Sequence, residues 1–243
     1  RISSQAYGQP VMAMNSLIRT VKETHNGFTI IDSAMRERLV TATGFSYSTA
    51  NLAERLALPT KYVIAPIAIL LVAKHPILTD SSLLGCELFD RNGKRAGFVR
   101  TDAGPMLVVK KNRKGRQQEI VLNDEEAAVL ELLIQITTPL RSYLKEKGDD
   151  GWRRLFIVTG GQGFQQPNVF TNQDSFAKTL RQKAFVHAHG EELGDLIDTL
   201  SLARIRATAG VLVYLDSLSI EKMAESLGNS KRIALNHYLP PTI

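Results

Sequence analysis

The hydrophobic pattern changes period twice along this chain, from helical to alternating near residue 89 and back to helical after residue 123. Residues 1 to about 26 are weakly patterned, with a short helical stretch around Met12 to Lys22. Ile31 to Leu58 has helical texture, interrupted at Gly44, and Asn51 to Leu58 reads as a short amphipathic helix stopped by Pro59. A longer apolar helix is predicted from about Tyr62 to Lys74. Another starts near Asp80 and carries Leu83, Leu84 and Leu88.

Asp90 to Gly93 has turn chemistry. Gly104 to Lys110 and Glu119 to Leu122 then read as two strands joined at a basic, glycine-containing turn. Asn123 and Asp124 form an N-cap pair ahead of a helix over Glu125 to Thr137, and Pro139 opens a second helix through Leu144 and Lys147. Leu155 to Thr159 is a short apolar segment before a loop from Gly160 to Pro167, and helices resume near Asp174.

The C-terminal pattern is the clearest. A helix from about Ser201 to Tyr214 places Ile205, Ala209, Leu212 and Val213 on a core face, with Arg206 beside that stripe and its head free. Ser219 is a predicted N-cap, followed by Ile220, Met223, Ala224 and Leu227 at i, i+3, i+4 and i+7. Gly228 stands where a left-handed C-cap is expected, and Ser230 caps a last short helix carrying Ile233, His237 and Tyr238. The whole predicts a mainly α protein with a small antiparallel β-sheet near residues 95 to 122. Residues 1–60 read as an N-terminal helical extension or the start of the main domain, and 61–243 as the main domain.

Composition narrows the classes. With 44% hydrophobic and 22% charged residues among 243, the chain reads as an ordinary globular protein. Its longest apolar run, Val63 to Ala73, contains Pro66 and is too short to span a bilayer, so no membrane partner is expected. Cys86 is the only cysteine, which excludes an internal disulfide and a cysteine zinc site and fits a reducing, cytoplasmic setting. His187 and His189 alternate but lack a carboxylate or cysteine partner at convincing spacing, so no metal is expected. Gly160 to Gly163 lacks the Gly-Lys-Ser/Thr ending of a nucleotide loop, and no cofactor is expected.

Charge adds a partner. The net charge is +6, and Lys110, Lys111, Arg113, Lys114 and Arg116 put five cations into seven residues. Both favour a polyanion, most simply nucleic acid.

Arg206, the Leu227-Gly228 pair 22 residues later, and Tyr238 ten residues beyond that glycine form a distinctive spacing. It resembles the C-terminal half of the tyrosine recombinase (phage integrase) catalytic domain. The resemblance covers roughly residues 60 to 240, with Arg141, Arg154 and Phe176 in the family's order of elements. It implies a recombinase-like domain holding double-stranded DNA on a basic concave face, working as a homo-oligomer or with a partner recombinase, and nucleoid-associated if bacterial. Arg206 would clamp a phosphate and Tyr238 would attack it, without metal. Lys114 on the hairpin would protonate the leaving 5′-oxygen, with Lys110 or Lys111 as the fallback. Lys110, Lys111, Arg113 and Arg116 would hold DNA. Free phenol has a pKa of about 10, so such a nucleophile needs a base or a strongly polarised phosphate. On this reading Tyr238→Phe abolishes covalent product and leaves DNA affinity nearly unchanged.

Three family positions are substituted. The histidine of the His-x-x-Arg motif falls on Ala203, and the later histidine or tryptophan on Asn229. The first arginine belongs near Thr79, yet no arginine occurs between Arg55 and Arg91; Lys74 or His75 is the nearest substitute. A strand-transfer enzyme of weakened or lost activity is therefore expected. The alternative is a non-catalytic helix-turn-helix regulator or helper protein, in which Ser219 to Leu235 binds DNA through Lys231 and Arg232.

Overall fold

The computed structural model describes residues 58–111, 117–160, 164–170 and 190–239, the short segment 27–34, and isolated positions at 19, 23, 37, 41, 53 and 187. Two compact units emerge, Arg1–Lys61 with Glu131–Phe170, and Tyr62–Leu130 with Thr171–Ile243. The described elements are mainly helical with a small antiparallel sheet.

In the Tyr62–Leu130 and Thr171–Ile243 unit, α1 (Lys61–Lys74) buries Ile64, Ala68, Leu71 and Val72, a single stripe at helical spacing. The short α2 (Asp80–Leu84) starts at Thr79, whose hydroxyl accepts from Ser82 N at 3.2 Å in a reciprocal capping box. It ends at Gly85, so Leu88 lies beyond the helix expected to carry it. A three-stranded antiparallel sheet follows, β1 (Phe98–Thr101), β2 (Gly104–Lys110) and β3 (Gln117–Val121), in the order β1-β2-β3. Leu107 pairs with Phe98 on one side and Ile120 on the other, and all three are buried. Alternation along β2 leaves Lys110 exposed at its end.

Helix α3 (Asp124–Glu146) is continuous through Pro139, where the sequence suggested two helices. Its start is the expected one: Asn123 Oδ1 accepts from Glu126 N at 2.8 Å, and Glu126 Oε2 from Asn123 N at 3.0 Å. Just before the proline, the Thr137 hydroxyl donates to Leu133 O at 2.7 Å and the Thr138 hydroxyl to Ile134 O at 2.8 Å. Proline removes the one N–H that would bond Gln135 O, and the helix nevertheless continues for seven residues past it.

In the Arg1–Lys61 and Glu131–Phe170 unit, Phe28, Ile31, Leu58, Leu140, Leu144, Ile157 and Phe164 form the core. Arg141 is buried there and ties α3 to the segment that follows it. It donates to Trp152 O and Arg154 O, each at 2.5 Å, and to Leu155 O at 2.9 Å. A second antiparallel pair follows, β4 (Ile157–Gly160) on the expected apolar segment with β5 (Gln165–Val169), which begins inside the expected loop.

The chain then continues through α4 (Leu196–Thr199), α5 (Leu202–Ser217), α6 (Ile220–Ser226) and α7 (Lys231–Tyr238), which return to the Tyr62–Leu130 unit. Ser201, Ser219 and Ser230 cap α5, α6 and α7 through their hydroxyls. No helix of the described residues is long and apolar enough to cross a membrane.

Candidate functional site

One three-residue turn organises the C-terminal helices. α6 closes on Leu227, and Gly228 follows at φ +59°, the left-handed conformation that costs glycine nothing. The turn folds back on the helix, Gly228 N donating to Glu225 O and Asn229 N to Ala224 O, both at 2.9 Å. The carbonyls of Leu227 and Gly228 take cations. Arg206 Nη2 donates to Leu227 O at 2.5 Å, and Lys111 Nζ to Gly228 O at 3.3 Å. A helix C-terminus carries partial negative charge, so it suits both.

The third residue of the turn reaches the tyrosine. Asn229 Nδ2 lies 3.4 Å from the Tyr238 hydroxyl, a long and weak donation. Arg206 Nη1 donates to the same hydroxyl, and its guanidinium carbon stands 5.8 Å from the ring centre. Tyr238, the last residue of α7, also packs against the cluster of Met223, Ala224, Leu227 and Ala234. It is thus both a packing residue and a hydroxyl held by an arginine.

Helix α5 brings Arg206 there on a face different from the expected one. Leu202 and Gly210 are its buried positions, and Arg206 lies midway between them at helical spacing. Leu212, placed by sequence in the core, is 59% exposed. The reason is Gly210: a Cβ there would lie 2.8 Å from both Leu227 methyl carbons, so its absence lets Leu227 seat against α5. Arg206 therefore sits within the packing face, with both terminal nitrogens bonded, rather than beside it with a free head. Its Nε is buried without a hydrogen-bond partner among the described residues.

Of the hairpin cations, Lys111 reaches the turn. Lys110 is mostly exposed and lies 3.7 Å from Glu87. Arg113, Lys114 and Arg116 lie outside the described residues, as does His189; His187 is exposed. The segment between α1 and α2 also abuts the turn, since a Cβ on Gly228 would meet Ile77 Cγ1 at 2.8 Å and Lys111 Nζ at 2.9 Å.

The substituted positions have other tasks. Thr79 spends its hydroxyl capping α2, and Ala203 is exposed in the first turn of α5. Lys74 is exposed at the end of α1, while His75 Nε2 pairs with the buried Glu126 carboxylate at 3.0 Å. Arg232 is exposed, and Lys231 pairs with Glu221, whose carboxyl it holds below its ordinary range, chiefly by hydrogen bonding.

No protein-family model matches the chain, and no curated protein is significantly similar to it. An arginine fork, a phenol and an ammonium meet on one turn, a set suited to binding an oxyanion and presenting an oxygen nucleophile to it. Asn229, Gly210 and Ile77 complete it. A glycine inside an otherwise strong helix was the one visible sign of that close approach.

Proposed function

We propose that this protein binds duplex DNA through its phosphates and acts on the backbone as a divergent tyrosine recombinase. The observation that carries the reading is the meeting of Arg206 and Tyr238, remote in sequence, on the Leu227–Asn229 turn that also holds Lys111. In the proposed reaction the Tyr238 oxygen attacks a backbone phosphorus and the bond to the 5′-oxygen breaks. The phenolic proton is lost to solvent or a phosphate oxygen, and a hairpin lysine protonates the leaving oxygen. An incoming 5′-hydroxyl later reverses the phosphotyrosyl link. Arg206 stabilises the charge on the non-bridging oxygens.

The lysine most directly supported is Lys111, which stands on the same turn. Thr79 as a helix cap leaves the family's first clamping position without an arginine. A lost donor of that kind costs about 10²–10³-fold in rate, so activity should be weak.

A second reading has its own observation. α6 and α7 are two short capped helices joined by a glycine turn, with Arg232 exposed at the start of the second. That is the outline of a DNA-reading helix pair. Lys231, turned to Glu221, fits it less well. Covalent trapping on nicked, labelled duplexes decides between the two: an adduct lost in Tyr238→Phe supports the recombinase. Specific binding lost in Arg232→Ala with no adduct supports the regulator.

A further inference from the structure

We propose that the Arg206–Tyr238 contact is an autoinhibitory lock, in which the nucleophile and the phosphate clamp mask each other until DNA arrives. The inference rests on Arg206 being a phosphate ligand, as proposed above.

A guanidinium grips a phosphate best by two parallel N–H bonds from one edge. Nε of Arg206 is buried, which leaves the edge between its two terminal nitrogens for a phosphate, and each of these already donates to a partner, the Tyr238 hydroxyl and the Leu227 carbonyl. A phosphodiester approaching that edge competes with them.

The two partners are unequal. Leu227 is fully buried, its backbone fixed by the helix C-cap and its side chain seated against Gly210. Tyr238 is the last residue of α7, is half-buried, and precedes Leu239 in extended conformation. The phenol is the partner that moves. Phosphate binding and release of the nucleophile then become one event, with Asn229, at 3.4 Å the weaker of the two donors to the hydroxyl, still beside it on the turn. An attack-ready hydroxyl appears only where a phosphate already sits.

The test is equilibrium binding of the full chain to a short labelled duplex of arbitrary sequence at low salt. It compares the unmodified protein, Tyr238→Phe, Arg206→Ala and the double variant. Where the resemblance alone implies nearly unchanged affinity, the lock predicts that Tyr238→Phe binds roughly two- to tenfold tighter, the scale of one released hydrogen bond, and that the gain disappears when Arg206 is also removed. If Tyr238→Phe binds no tighter while Arg206→Ala binds weaker, the lock is wrong and the clamp stands. If Arg206→Ala changes nothing, the phosphate reading fails and the lock fails with it. Should the phenylalanine variant melt early, Tyr238→Leu, which also lacks the hydroxyl, carries the same expectation.

Discussion

Gly210 and Leu227 meet where a side chain is missing: a Cβ at position 210 would lie 2.8 Å from both Leu227 methyl carbons and 2.9 Å from its Cγ. In an exposed helix interior, alanine for glycine stabilises by about 1 kcal/mol. Here the sign should reverse. Leu227 is fully buried and cannot swing aside, and overpacking costs about 1–3 kcal/mol. Gly210→Ala should therefore lower stability by up to about 2 kcal/mol net in urea unfolding. It should also weaken DNA binding, because pushing α5 away from Leu227 loosens the bond between Arg206 and the Leu227 carbonyl.

Gly228 is constrained twice, by a φ of +59° and by Ile77 and Lys111 within 3 Å of a Cβ. Gly228→Ala should cost at least about 1–2 kcal/mol from the left-handed conformation alone. Gly228→Asn tolerates that backbone better but meets the same neighbours. Thermal unfolding should rank the unmodified protein well above both variants. Equal stability of all three would mean the turn is looser than described.

Lys110 and Lys111 are adjacent yet differ in setting, one near Glu87 and largely in water, the other on Gly228 O. Lys111→Ala should reduce covalent adduct formation by roughly 10²-fold or more, as loss of a general acid does. Lys110→Ala should change mainly DNA affinity and its salt dependence, by about one unit of slope at most. Adduct yields measured at saturating DNA separate the two effects.

The Lys231 hydrogen bond holds the Glu221 carboxyl below its ordinary range. A depressed folded pKa contributes stability that is fully present above the unfolded value, about 4.3, and is lost as pH falls through the lower folded value. Glu221 is fully exposed, so the contribution is small and screened by salt. Melting curves of the unmodified protein and Glu221→Gln should differ slightly at neutral pH and low salt and converge in acid. Divergence on acidification would contradict the pairing.

Local chemistry was legible and long-range packing was not. Serines at 219 and 230 cap helices, Gly228 adopts the left-handed turn, and Gly104–Lys110 pairs with its neighbour, because each is decided within a few residues. Pro139 reads as a helix start, whereas α3 runs through it, because packing of its two flanks outweighs the loss of one backbone bond. Strand β5 is hidden in the sequence because Gln165-Gln-Pro-Asn reads as loop; a two-stranded ribbon with an irregular register accepts a proline there. The face of α5 was misjudged because hydrophobicity favoured Leu212, whereas the partner surface selects the small Gly210. The spacing of Arg206, Gly228 and Tyr238 located the candidate site, but nothing in it specifies that the arginine and tyrosine bond to each other.

Attack of Tyr238 on a DNA phosphate is tested most directly by covalent trapping on nicked, labelled duplexes spanning candidate element ends, resolved on a denaturing gel beside Tyr238→Phe. The expected result is a protein–DNA adduct, weak in yield, that vanishes in the phenylalanine variant and falls sharply in Arg206→Ala. DNA retained at low salt on a native gel with no adduct on any duplex would contradict it. An adduct that persists in Tyr238→Phe would place the nucleophile elsewhere.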